Sequence, residues 1–238
     1  MIQVEFFHDV ICSFCFPMSD RMHKIANKYN NIEVIHRSFA LGWTEDAFVH
    51  SFGSREAVKP EVLGHWAKAN QLDDDHRFNI EGMAATDFNF PISRPALLAA
   101  KAAGLVGGQA AYWEAFDALQ EALFVKNLNI EDPTVIAQVI QASSLDFDAW
   151  QAQLADPATE AAVLEDLDRA RDYGVYSAPT LIIQGKYKLS GALPQATIER
   201  ALAKVAEDEG LSLTQVIDLS DTEAPACDFV DGQWQCHD

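Results

Sequence analysis

The sequence predicts an α/β fold, one mixed β-sheet built from the two ends of the chain and interrupted by a large inserted all-helical subdomain. Three observations carry this. Strand-like segments occur in the first 41 residues and again after Gly174. Between them, from about Gly42 to Tyr173, helix-forming segments follow one another, several rich in alanine. No internal repeat or low-complexity linker separates the two ends, so the N-terminal and C-terminal strands are expected to share one sheet.

Ile2 to Phe7 is short, apolar and aromatic, as a buried strand is, and His8-Asp9 breaks it just before Cys12. From Ser13 to about Asn30, Phe14, Met18, Met22, Ile25, Ala26 and Tyr29 recur at steps of three and four, which predicts an amphipathic helix. Ile32 to Phe39 alternates and carries β-branched residues, a second strand parallel to the first. In the middle region, helix breaks are expected near Lys59-Pro60, Phe90-Pro91, Arg94-Pro95, Gly107-Gly108, Asp132-Pro133 and Asp156-Pro157. Thr180 to Ile183 reads as a third strand, Gln184-Gly185 as a tight turn, Lys186 to Leu189 as a fourth strand and Pro194 to Glu207 as a closing helix. The glycines at 104, 107 and 108 lack the preceding strand and following Lys-Ser/Thr of a phosphate loop and read as a helix terminus.

A 238-residue chain that is 49% hydrophobic can bury a core without crosslinks. Its 36 acidic against 17 basic residues give a net charge of -19, which repels phosphate backbones and anionic lipid and argues against nucleic-acid and membrane partners. The N-terminus has no basic leader or apolar segment of signal-peptide length, so a cytoplasmic location is expected. There, paired cysteines more often do redox or metal chemistry than crosslink a fold.

Cys12-Ser13-Phe14-Cys15 lies where a strand ends and a helix begins. A thiolate at a helix N-terminus is favoured by unpaired N–H groups and the positive end of the helix dipole, so Cys12 reads as the nucleophile. Cys15, one turn later and deeper, reads as the resolving thiol. Three alternatives stand beside this, the first a coincidence of spacing. A zinc site would need two further ligands, and only His8 and His23 lie nearby in sequence. A pair of inert buried thiols would contradict the reactivity that a helix start confers. Glu5, His8 and Asp9 sit just upstream of Cys12 and can tune its pKa or relay a proton during exchange, Asp9 foremost. Trp43, Phe48, Phe52, Phe88 and Phe90 suit a client groove or, more simply, core packing.

Cys227 to Cys236 flanks Asp231-Gly232, a strong two-residue turn signal. With that turn, Val230 faces Gln233, Phe229 faces Trp234 and Cys227 faces Cys236. Opposed Cα atoms about 4.5 to 5.5 Å apart are within disulfide range. The pair reads either as a staple for a marginal hairpin or as a second redox couple.

Four segments together resemble the DsbA-like branch of the thioredoxin superfamily, and within it the FrnE-type proteins grouped with 2-hydroxychromene-2-carboxylate isomerases. These are His8-Asp9-Val10-Ile11 before Cys12; Phe124 to Ile130 with Glu131-Asp132; Gly174 to Thr180; and Leu189-Ser190-Gly191-Ala192-Leu193-Pro194. The resemblance covers about residues 1–210. Together with the strand and helix pattern, it divides the chain into a thioredoxin-like N-terminal half over 1–41, a helical insertion over 42–165, a C-terminal half over 166–212 and a tail with the cysteine hairpin over 213–238. It further implies a thiol–disulfide oxidoreductase or isomerase acting on protein disulfides or small thiols, glutathione among them, with no bound cofactor and no metal. By the same resemblance, Ala178-Pro179 is a cis peptide facing the cysteines and guiding substrate, and Cys227 and Cys236 form a second dithiol that exchanges with the first; a tail of this kind can also reach a neighbouring subunit in a homodimer. The family's common Cys-Pro-Trp-Cys is Cys-Ser-Phe-Cys here, which leaves the preferred redox direction open. A glutathione-dependent isomerase or transferase, and a redox-gated chaperone, are the alternatives. Related isomerases and kappa-class transferases usually carry serine where Cys12 stands.

Overall fold

The computed structural model describes residues 1–216, together with the backbone of residues 226–230 and 233–237. Strand β1 (Ile2–His8) is buried along almost its whole length, apolar at Ile2, Val4, Phe6 and Phe7, with the buried Glu5 paired to Arg37 and Arg169. Helix α1 (Cys15–Lys28) follows, then β2 (Ile32–Ser38), which pairs parallel with β1, Val4 opposite Val34. Strand β3 (Thr180–Ile183) pairs antiparallel on the other side of β1, and β4 (Tyr187–Ser190) pairs antiparallel with β3. The sheet order β2-β1-β3-β4 makes a mixed sheet of the two chain ends, as expected. Between β3 and β4, Gln184 and Gly185 both have positive φ (53° and 65°), and Lys186 N–H donates to Ile183 O at 3.1 Å. Two consecutive left-handed residues are the hairpin turn whose twist matches the strands.

Alternation along β1 sorts the two faces. Ile2, Val4 and Phe6 pack with Leu181 and Ile183 of β3, Met18, Met22 and Ile25 of α1, and Ile198, Leu202 and Val205 of the last helix, Gln195–Asp208. Phe7 and Ile182 point the other way, onto Ala170 and Val175. Truncating a filled position such as Phe6 to alanine costs about 3 to 5 kcal/mol.

The region between β2 and β3 contains helices α2 (Glu45–Phe52), α3 (Arg55–Leu72), α4 (Ile80–Ala85), α5 (Ser93–Phe124), α6 (Pro133–Gln141), α7 (Phe147–Leu154) and α8 (Pro157–Asp172). The closing helix, Gln195–Asp208, is α9. The Asp-Pro pairs are starts: Asp132 and Asp156 accept from Thr134 and Ala158 N–H, with proline first in the helix, where its missing donor is not needed. Gly108 (φ 76°) breaks α5 into two helical stretches at the expected glycine cluster. The break expected at Lys59-Pro60 is absent, because α3 runs through it. One lost donor is outweighed there by Val58 and Trp66, both buried against the helical core, and by Lys59 Nζ donating to Thr86 O (3.0 Å) and Oγ1 (2.8 Å). Phe48 and Phe90 are buried in that core and Trp43, Phe52 and Phe88 pack on its edge, so these aromatics serve packing.

Helix α8 continues through residues 165 and 166 and ties the helical layer to the sheet. Asp166 accepts from Ser38 N–H (2.8 Å), Arg37 (3.2 Å) and Lys101, and Arg169 donates to Glu5 of β1. The helical core is continuous with the start of α1: Trp66, Phe78, Phe90, Phe116, Phe124 and Trp150 belong to one cluster with Val10, Ile11, Cys12, Cys15 and Phe16. The first cysteine pair therefore lies at the seam between sheet and helical unit. Among the described residues no helix is long and apolar enough to cross a membrane.

Candidate active site

The chain leaves β1 at His8 and turns into α1 through a tight loop. Cys15 N–H donates to Cys12 O (3.0 Å) and Phe16 N–H to Ser13 O (3.3 Å), so the first turn is of the three-residue type. Regular α-helix begins at Cys15, two residues after the expected start at Ser13. Cys12 stands in front of this turn, and both cysteines are free thiols.

A helix-start position implied an open Cys12, but only 4% of the residue is exposed, with Cys15 fully buried behind it. The cover comes from the apolar seam and from the distant loop before β3. Cys12 Sγ donates to the Ala178 carbonyl at 3.5 Å, 166 residues away in sequence. The Ala178-Pro179 bond is cis, as the resemblance implied. Burial pushes the Cys15 thiol well above its ordinary pKa and the neighbouring Cys12 adds to this, while the Asp9 backbone N–H opposes it. Cys15 is therefore a protonated thiol at neutral pH, and turning it into a nucleophile needs a base.

The negative charge of Asp9 raises the Cys15 thiol further. Its carboxylate is fully buried, accepting from Ile11 N–H (3.2 Å) on Oδ1 and from Leu41 N–H (2.7 Å) and Ser93 Oγ (2.6 Å) on Oδ2. Burial raises its pKa to about 6 despite these donors. An acid with that value is mostly ionised at neutral pH yet basic enough to take a proton.

Gln120 of α5 clamps the loop from behind. Its Nε2 donates to Val10 O (3.3 Å) and lies 3.5 Å from both Asp9 O and Cys12 O. His8 and His36 form a second buried layer, His36 Nδ1 to His8 Nε2 at 3.2 Å, with His8 against Phe116 and Phe6. Burial lowers His36 to about 3 and His8 well below its usual value, so both are neutral. His23, the other histidine considered near the cysteines, bonds Asp117 at 2.6 Å and stacks on Trp113.

Of the residues singled out in the sequence, Asp9, Cys12, Cys15 and Ala178 converge, with Pro179 next to the carbonyl that meets Cys12. Ser93, Gln120 and His36 had no sequence signal, because their partners lie 28 to 111 residues away. The tail strands β5 (Ala226–Val230) and β6 (Gln233–His237) pair antiparallel with Cys227 opposite Cys236 and Phe229 opposite Trp234, the register inferred from Asp231-Gly232. The turn itself and the side chains of Cys227 and Cys236 lie outside the described residues.

Known proteins agree with this architecture. The ClpXP adapter protein SpxH of Bacillus subtilis (strain 168) is 26% identical over 183 residues, 76% of this chain and 57% of that protein. The chain thus spans less than two thirds of the length of the curated relatives it matches. Among solved structures, the cytosolic disulfide reductase DsbM of Pseudomonas aeruginosa with GSH has a TM-score of 0.65 at 16% identity, covering 84% of this chain and 98% of that one. A 2-hydroxychromene-2-carboxylate isomerase has a TM-score of 0.59 at 15% identity, covering 88% and 99%. The model of the DSBA-like thioredoxin domain matches residues 3–203, and the chain belongs to that family.

Proposed function

We propose that this chain is a thiol–disulfide oxidoreductase acting on protein disulfides or on small thiols such as glutathione. The observation that carries the reading is the arrangement of two free thiols at the start of α1, the outer one against Ala178 O and the inner one within the field of the buried Asp9 carboxylate. In the reducing direction, the Cys12 thiolate attacks one sulfur of the substrate disulfide, and the other leaves as a thiolate. Cys15 gives its proton to Asp9, and its thiolate attacks Cys12 Sγ in the mixed disulfide. The Cys12–Cys15 disulfide forms, the second substrate thiolate departs, and two electrons have passed to substrate. The oxidising direction is the reverse.

Ala178 and Pro179 guide the substrate, whose approach replaces the contact between Cys12 Sγ and Ala178 O. Cys227 and Cys236, opposed in backbone register, act as a second dithiol that exchanges with the first. The cytoplasm is the compartment this reading assigns, in keeping with the name of the DsbM structure. Replacing Cys12 by serine is expected to abolish reduction of insulin and reactivation of a scrambled disulfide protein. Retained activity in Cys12→Ser would overturn the assignment.

The adapter name of the SpxH relatives favours a second reading, a protein-binding module whose cysteines gate binding. Its sign is client binding that survives replacement of both Cys12 and Cys15.

A further inference from the structure

The two oxygens of Asp9 are not equivalent. Oδ2 receives two short hydrogen bonds, from Leu41 N–H at 2.7 Å and Ser93 Oγ at 2.6 Å, whereas Oδ1 receives one long one, from Ile11 N–H at 3.2 Å. Ser93 is fully buried and opens α5, the long helix of the inserted unit. Its own geometry is fixed on both sides of the side chain. Ser93 N–H donates to Gly42 O (2.8 Å), and Gly42 N–H donates to Ser93 Oγ (3.0 Å). Because Gly42 fills the acceptor side of the hydroxyl, its one proton is directed at Asp9. A proton on Oδ2 would confront two donors already aimed at that atom. A proton on Oδ1 meets the longer contact with Ile11 N–H instead.

We propose that Ser93 is a positioning residue for thiol–disulfide exchange: with Leu41 N–H it pins Oδ2 of Asp9 as the anionic oxygen and leaves Oδ1 to take and return the Cys15 proton. The proposal rests on the reading of Asp9 as the acceptor of that proton. It gives the helical unit a chemical part in the exchange, since the hydroxyl that orients the acid comes from α5, 84 residues beyond it. The adjoining N-terminus of α5 also places its positive end toward the anion.

The test combines two readouts on the full chain: the titration of the Asp9 carboxyl carbon by NMR, and the acidic limb of the single-turnover rate with a peptide disulfide. The proteins are wild type, Ser93→Ala, Ser93→Thr and Asp9→Asn, with Ser93→Gly as a second deletion of the hydroxyl. Loss of one charge-assisted hydrogen bond is expected to raise the Asp9 midpoint by about 1 to 2 pH units in Ser93→Ala. The acidic limb of the rate moves with it, and Ser93→Thr restores both. An Asp9 titration unmoved in Ser93→Ala and Ser93→Gly overturns the proposal while leaving the role of Asp9 intact. A titration that moves without the rate limb, together with an unchanged limb in Asp9→Asn, overturns the acceptor reading and the positioning role with it.

Discussion

Replacing Asp9 by asparagine is expected to make the protein more stable at neutral pH and to flatten one part of its pH dependence. The carboxyl is fully buried and its pKa is raised from 3.8 to about 6, burial outweighing the donors from Leu41, Ser93 and Ile11. The folded chain therefore holds a proton that the unfolded chain has already lost. Stability from this group is fully present below pH 3.8 and is lost as pH rises through about 6. The raised value corresponds to about 3 kcal/mol in all, of which about 2 kcal/mol is lost between pH 4 and pH 7.5. The amide of the variant is neutral throughout and still offers an oxygen to Leu41 N–H and Ser93 Oγ. The assay is urea unfolding of both reduced proteins at pH 4 and pH 7.5, read as the difference between them, in which the contributions of His8, His36 and Glu5 cancel. The variant should gain about 2 kcal/mol on wild type between the two pH values. A difference that does not change with pH would refute the buried-acid account.

Three further outcomes follow from the same geometry. Gln120→Leu strips the donor shared by the Asp9, Val10 and Cys12 carbonyls, and unfolding free energy measured in denaturant should fall by about 1 to 3 kcal/mol. Trp150→Ala empties a nearly fully buried site and removes the bond to Ala99 O (2.9 Å), so denaturant unfolding should show a loss of about 3 to 5 kcal/mol. His36 is held at about 3 chiefly by burial, with smaller electrostatic contributions from His23 and Lys101, against 6.5 for the ordinary side chain. Stability from its neutrality is present above pH 6.5 and lost as pH falls toward 3, about 3 kcal/mol between pH 7 and pH 4, and His36→Gln should remove that part of the acid-induced loss in urea unfolding.

The residues that announced themselves in the sequence did so through local chemistry. Alternation in Ile32–Ser38, the three-and-four spacing of Met18, Met22 and Ile25, and Gln184-Gly185 each determine a backbone state from neighbours alone, and each element stands where the pattern put it. Pro60 misled because tertiary docking of Val58 and Trp66 overrides a local helix breaker. The cysteine spacing marked the loop between β1 and α1, and Asp9 was visible beside it only as a tuning group. Its burial depends on residues 41 and 93 closing over it, a contact no spacing rule encodes. The covering of Cys12 by Ala178 has the same origin, a loop brought back across the sheet by β3.

Trapping shows most directly which sulfur attacks first. Cys15→Ser, incubated with a peptide disulfide and analysed by mass spectrometry of its proteolytic fragments, is expected to accumulate one mixed disulfide at residue 12. Cys12→Ser under the same conditions should accumulate none at residue 15, whose thiol is fully buried and held protonated. An adduct at residue 15 in Cys12→Ser, or an unmodified residue 12 in Cys15→Ser, would contradict the account.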